Sequence, residues 1–154
     1  MYYAIIVLLT AIDQALKYLV GSNMKVGESI PLIGNIVHIT YVKNSGGAFS
    51  ILQAQTGLLT VVSIALTAVI IVYLYIKRSS GGISLRLSLS LICAGGLGNL
   101  IDRIRLGAVT DFIDFRVFPI FNFADMCVCC GCGLLFIYMI ILDRRGKAED
   151  VSAE

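Results

Sequence analysis

The stretch GLLTVVSIALTAVIIVYLYI, Gly57–Ile76, decides the fold class. It holds 20 residues without a charge, and at about 1.5 Å per residue such a helix matches a hydrocarbon core about 30 Å thick. Lys77 and Arg78 close it, and Ser79–Gly82 read as a short polar turn. A second apolar run, Met126–Leu142, stops at Asp143-Arg144-Arg145, and Gly146–Glu154 beyond it reads as a frayed polar tail. Two further runs are less pure. Met1–Val20 is broken by Asp13, Gln14 and Lys17, and it lacks the basic start and small-residue cleavage site of a signal peptide. Ser84–Ile101 carries Arg86 near one end, where the stem can snorkel, and Gly95, Gly96 and Gly98 near the other, where small residues permit close helix contact.

Composition agrees with these spans. Hydrophobic residues make up 58% of the 154 and charged residues 14%, against roughly 45–50% and about 25% in a soluble domain. A mean hydropathy of +0.90 leaves more apolar surface than so small a core can hide. A soluble enzyme, a disordered tail and a secreted disulfide scaffold are excluded. A net charge of +2 offers no surface for nucleic acid. Four of the five cysteines, Cys127, Cys129, Cys130 and Cys132, lie inside an apolar run and read as small hydrophobes packing a helix. They lack zinc-ligand spacing and the single His is remote, so neither a metal site nor a disulfide framework is expected.

The expected architecture is a membrane all-α four-helix transmembrane bundle with a small extracytoplasmic β-sheet, or cradle. One integral-membrane domain covers 1–154, with helices over about 1–21, 57–76, 84–104 and 121–142 and the cradle segment over about 22–56. An even number of crossings puts both termini on one side. That side holds six Lys and Arg against five on the other, so the positive-inside rule favours cytoplasmic termini narrowly. Within the cradle segment, Ile36–Val42 alternates as a half-exposed strand, with Val37, Ile39 and Tyr41 on one face and His38 and Thr40 on the other. Pro31 and Gly34-Asn35 are natural turn positions, and His38 is read as facing water. Leu106–Ile120 reads as a shorter polar connection in which water reaches Asp111 and Asp114 is a solvated charge.

The polar residues gather. Asp13 and Lys17 stand one helical turn apart, able to pair. Asn99, Asp102 and Arg103 share the exit of the third helix, and Asn122 and Asp125 the start of the fourth. Asn44 precedes Ser45-Gly46-Gly47. By this topology all except Lys17 belong near one membrane face. Each has a plain structural reading: an ion pair for Asp13 with Lys17, a headgroup anchor for Asp102 with Arg103, a turn for Ser45–Gly47. Ionisable residues at membrane depth cost about 2.5–3.5 kcal/mol each on insertion scales, which favours a function for the set. There is no HExxH pair and no P-loop, a dinucleotide fingerprint lacks its strand, and serine chemistry would have only Lys43 beside Ser45. Paired carboxylates sharing a proton remain, one acting on water and the other as an acid. A small four-helix membrane transporter using an intramembrane carboxylate and a purely structural subunit stay open on these grounds.

Five blocks decide between them. Asp13-Gln14-Ala15-Leu16-Lys17, Asn44-Ser45-Gly46-Gly47-Ala48-Phe49, GGLGNLIDR (Gly95–Arg103), Gly107–Ile113 and Phe121-Asn122-Phe123-Ala124-Asp125 resemble, in order and over nearly the whole chain, the lipoprotein signal peptidase (signal peptidase II) family. The resemblance implies a multi-pass enzyme of the bacterial inner membrane with cytoplasmic termini and an active site near the extracytoplasmic face. It implies an aspartic endopeptidase without metal or cofactor, acting among membrane lipids on a diacylglyceryl-modified prolipoprotein; a monomer is expected only in that nothing in the sequence points to an obligate partner. The signal peptide is removed just before the lipidated cysteine. The family's two catalytic aspartates map to Asp111 and Asp125. Asp102 is read as supporting, placed beside Arg103 to hold an ion pair and hydrogen bonds. Asp13, Lys17, Asn44, Gly47, Asn99, Arg103, Asn122 and Ala124 complete the expected substrate-binding and supporting set, with Asn44, Asn99, Arg103 and Asn122 as candidates for orienting the peptide backbone or the carboxylates. The chain departs from several relatives in Gly47, where many have Ala, and in the short connection of 14 residues from Asp111 to Asp125.

Overall fold

A computed structural model of the chain describes residues 1–45, 56–76 and 82–153. Gly47 and the Lys77-Arg78 stop lie outside the described residues. Four helices, α1 (Tyr2–Asn23), α2 (Thr56–Ile76), α3 (Ile83–Leu106) and α4 (Phe123–Ala153), accompany three strands, β1 (Ser29–Ile33), β2 (Val37–Asn44) and β3 (Val109–Asp114). Each helix has an apolar stretch long enough to cross a membrane. The expected frayed tail is instead a continuation of α4, because Asp143–Ala153 contains one Gly and no Pro to stop a helix.

The third helix is the hub: α1, α2 and α4 all pack on it. Its contact with α4 needs glycine on both sides. A Cβ on Gly95 would run into the Ala124 carbonyl and Val128, and one on Gly131 would come within 2.7 Å of Ile92 Cγ1 and 2.8 Å of the Ser88 carbonyl. Ile6, Ile70, Leu74, Ile92, Cys93 and Ala94 form the buried apolar cluster around this hub. The cysteines of α4 divide: Cys127 is buried, whereas Cys129, Cys130 and Cys132 face outward as free thiols. Packing against helices therefore explains one of the four, and the other three stand where apolar side chains meet lipid.

The sheet has the order β1-β2-β3, antiparallel throughout. Two expectations are corrected here. The connection after α3 is a strand, not a polar loop: Gly107 (φ 70°) ends α3 in the left-handed conformation, its N–H bonded to the Arg103 carbonyl, and turns the chain into β3. His38 and Thr40 are buried rather than facing water. Period two separates the faces of a strand but does not say which face is inner, and here the protein offers Asp114 to the polar one. A bulge in β2 between Ile39 and Val42, opposite Ile113 and Asp111, lets Thr40 and Tyr41 both be buried. The outer edge of β3 is closed: Thr110 N–H bonds to Asp102 Oδ2, and the Phe112 and Ile113 N–H groups bond to the Phe121 carbonyl.

Candidate active site

The start of α4 builds the centre of the site. Asn122 precedes the helix, and its Oδ1 accepts the Asp125 N–H (3.0 Å) while Asp125 Oδ2 accepts the Asn122 N–H (3.2 Å). This is a reciprocal capping box with Asp in the third helical position. It fixes the Asp125 carboxylate at the positive end of the helix. The Asn122 amide is left free to donate elsewhere. It reaches Asp111 Oδ1 at 2.6 Å and Asn99 Oδ1 at 3.1 Å. One fully buried side chain thus touches Asp111 and caps the helix that carries Asp125.

Asp111 comes from β3 and is 3% exposed, not open to water as the polar-connection reading had it. Asn44 at the end of β2 donates to its Oδ2 at 2.8 Å. Burial pushes its carboxyl up to about 6, and the nearby charge of Asp125 adds to this, against the amide donors and the more distant Lys17. From α3, the Asn99 amide donates to Asp125 Oδ1 at 2.8 Å, and its own carbonyl oxygen accepts from Lys17 Nζ at 2.9 Å. Lys17 therefore belongs to the cluster, contrary to the topological expectation. The half-buried Arg103 guanidinium feels the charges of Asp125, Asp111 and Asp102, in that order, and its Nη1 donates to Ser63 Oγ at 3.4 Å.

Beneath these groups lies a buried ionic layer. Lys17 pairs with Asp13 at 2.9 Å and with Asp102 at 3.4 Å. Asp13 Oδ1 also accepts the Ala124 N–H at 2.9 Å, satisfying a second amide of the α4 start. Asp102 accepts from Gln14 at 3.1 Å and from Thr110 N–H at 2.9 Å, so its ion-pair partner is Lys17, where the sequence suggested its neighbour Arg103. It ties α1 and α3 to the strand carrying Asp111. Gly98 makes room for this layer: a Cβ there would strike Asp13 Oδ2 and lie 3.1 Å from the Ala124 Cβ.

Of the two orienting roles expected for them, Asn44, Asn99 and Asn122 take the carboxylate one: each bonds to Asp111 or Asp125. Asp114 is not a solvated loop charge but is 4% exposed at the end of β3. Burial works against its charge, but donors from Thr40 and Arg116 and the Arg116 and His38 charges outweigh it and hold its carboxyl below the usual range. Sequence reasoning missed Gln14 and Gly98 as parts of the site, although both stand inside the quoted blocks. Among the described residues no three His, Cys, Asp or Glu side chains converge as metal ligands.

Comparison with known proteins places this constellation. The family model described as Signal peptidase (SPase) II matches residues 5–141. A lipoprotein signal peptidase of Halothermothrix orenii is 45% identical over 95% of this chain and 99% of its own. One from Desulfitobacterium hafniense is 43% identical over 91% and 93%, respectively. Among solved structures, a bacterial membrane enzyme determined by the in meso method at 2.3 Å superposes with a TM-score of 0.84 and 34% identity, covering 90% of this chain and 87% of that one. With four apolar helices, a three-stranded cradle and these matches over nearly its full length, the chain belongs to the signal peptidase II family and is a lipoprotein-processing protease of the bacterial inner membrane.

Proposed function

We propose that Asp111 and Asp125 are the catalytic pair of an aspartic endopeptidase that removes the signal peptide of a diacylglyceryl-modified prolipoprotein, just before the lipidated cysteine. The observation that carries this reading is Asn122, which bonds to Asp111 and is locked by two reciprocal bonds to Asp125. Among the described residues the centre gathers four carboxylates, the buried Asp13, Asp102 and Asp111 and the partly buried Asp125, against two cations, Lys17 and Arg103, which favours keeping a proton. Burial raises the Asp111 carboxyl to about 6 and so assigns the proton to Asp111. Asp125 then activates a water for attack on the scissile carbonyl, and Asp111 protonates the leaving amine. The buried ionic layer of Asp13, Lys17 and Asp102 supports both without touching the peptide, and Arg103 is the cation left to orient it.

Both termini lie in the cytoplasm on this reading, which puts the cradle and the aspartates near the extracytoplasmic face, where a monomer is sufficient. The signal-peptide helix enters sideways from lipid, and the diacylglyceryl chains stay in an apolar surrounding worth about 0.8 kcal/mol per buried CH₂. The test is a gel-shift cleavage assay in detergent on one prolipoprotein with and without its diacylglyceryl group. Wild type is expected to cut only the lipidated form. Asp111→Asn and Asp125→Asn, folded by circular dichroism, should each lose about 10²–10⁴-fold or more in rate. Cleavage near the wild-type rate by either variant overturns the assignment.

A further inference from the structure

A second polar cluster lies on the cradle, outside the site just described. Asp114, the last residue of β3, accepts Thr40 Oγ1 at 2.7 Å and the Arg116 N–H at 2.7 Å, with the Arg116 guanidinium 3.7 Å away. Thr40 Oγ1 also shares a hydrogen bond of 2.8 Å with Ser29 Oγ, which takes a further bond of 3.0 Å from Arg116 Nη2. One carboxylate therefore braces all three strands and the turn that leaves them. The turn is tight and strained: Arg116 adopts φ 64°, a conformation uncommon for a residue with a side chain, and the Val117 N–H bonds back to the Phe115 carbonyl at 2.8 Å. Nothing in the chemistry proposed above requires that strain.

Its consequence appears at the far end. The chain folds back so that Phe121 pairs with Ile113, donating to its carbonyl at 3.1 Å and accepting its N–H at 2.7 Å. Phe115 stacks on the Phe121 ring at 5.8 Å, and Phe118 meets it edge-on at 6.0 Å. The next residue is Asn122. The short connection from Asp111 to Asp125 is thus a closed clasp, anchored at one end by Asp114 and delivering Asn122 to Asp111 at the other. We infer that Asp114 is a positioning residue for the two-aspartate centre, acting through the turn from Asp114 to Phe121 that seats Asn122 against Asp111. The inference rests on the proposed catalytic pair. It explains why a charge is buried at a cradle position the chemistry leaves unused, and how a short connection can hold its geometry.

The charged and titratable groups facing Asp114 are His38 from β2 and Arg116 from the turn, with Thr40 and Ser29 as neutral partners. Asp114→Ala removes the anchor, and Asp114→Asn keeps one acceptor, for the Arg116 N–H, while its amide nitrogen can donate to Thr40 Oγ1 with that hydroxyl turned toward Ser29. Purified full-length enzyme in lipid nanodiscs, given a lipidated prolipoprotein peptide, is assayed for kcat, KM, pH profile and thermal unfolding. Asp114→Ala is expected to lower kcat about 10–100-fold, the scale of a misplacement near 1 Å, with KM within about twofold. The limb assigned to Asp111 moves to higher pH, because Asn122 is a donor that favours its charged form. Asp114→Asn recovers most of kcat.

An Asp114→Ala enzyme with wild-type kcat and pH profile but a lower unfolding temperature overturns the inference, as does a rise in KM alone. Should that variant not fold, Thr40→Val removes one donor to Asp114 at nearly constant volume and carries the same criteria. Asp111→Asn and Asp125→Asn run alongside. Activity in those variants sinks the catalytic pair itself, whereas their silence beside an unaffected Asp114→Ala sinks only the positioning role.

Discussion

The helices α2 and α3 lie side by side and follow opposite logic. An 18-residue apolar stretch of α2 has a mean hydropathy of 2.5 with only 17% of its residues buried in the protein; for the corresponding stretch of α3 the values are 1.4 and 50%. In water the more apolar helix would be the more buried. In a bilayer the solvent is itself apolar, so an exposed apolar residue meets its preferred surroundings and polar residues must find partners inside. The helix most hydrophobic by composition is therefore the one with least to do, and the interrupted helix is the hub.

This contrast can be broken most directly at Lys17, the cation of the buried layer against α3. Lys17→Met leaves Asp13 and Asp102 without their counter-ion and is expected to cost about 3–5 kcal/mol, read from unfolding in mixed micelles. A loss below about 1 kcal/mol, the worth of a surface pair, would show that the layer is hydrated rather than buried. Next comes Gly98→Ala on α3, whose methyl group displaces Asp13 and crowds Ala124. Overpacking of this kind costs about 1–3 kcal/mol, and turnover should fall with it because Asp13 caps the helix carrying Asp125.

A third prediction concerns pH. On the proposed mechanism Asp111 delivers its proton; its protonated form is populated below about 6 and lost above it, so kcat/KM is expected to fall as pH rises through that value. The corresponding limb of kcat should lie higher, since bound substrate excludes more water. A rate that instead rises through this limb would exchange the roles of the two aspartates. The smallest effect belongs to α2: Val69→Leu, at a position 65% exposed, should change stability by less than about 0.5 kcal/mol. A larger loss would mean that α2 has a protein partner.

The same contrast explains what could be read from sequence. Spans announce themselves by composition, and Gly57–Ile76 needed nothing else. The residues of the site were also visible, because polar groups inside apolar runs are conspicuous. Their pairing was not. Lys17 and Asp102 are far apart in sequence, and no local spacing says that Asp102 prefers Lys17 to its neighbour Arg103. Strand β3 was hidden for a different reason: Val109–Asp114 is covered on both faces, so V-T-D-F-I-D shows no alternation and its two aspartates suggest a loop. At His38 the alternation was legible, but not its sense, because the buried polar partner Asp114 lay in the strand that had not been seen.

The closed edge of β3 has a bearing on how such a protease treats its clients. An open strand edge is a template on which extended chain can pair and stay. Here the outward N–H groups of Thr110 and Phe112, on either side of Asp111, are already occupied by Asp102 and Phe121. A passing polypeptide finds no ladder to extend at that edge. The released product has correspondingly little to hold it there, and turnover is protected from the stickiness that a sheet beside an active site would otherwise bring.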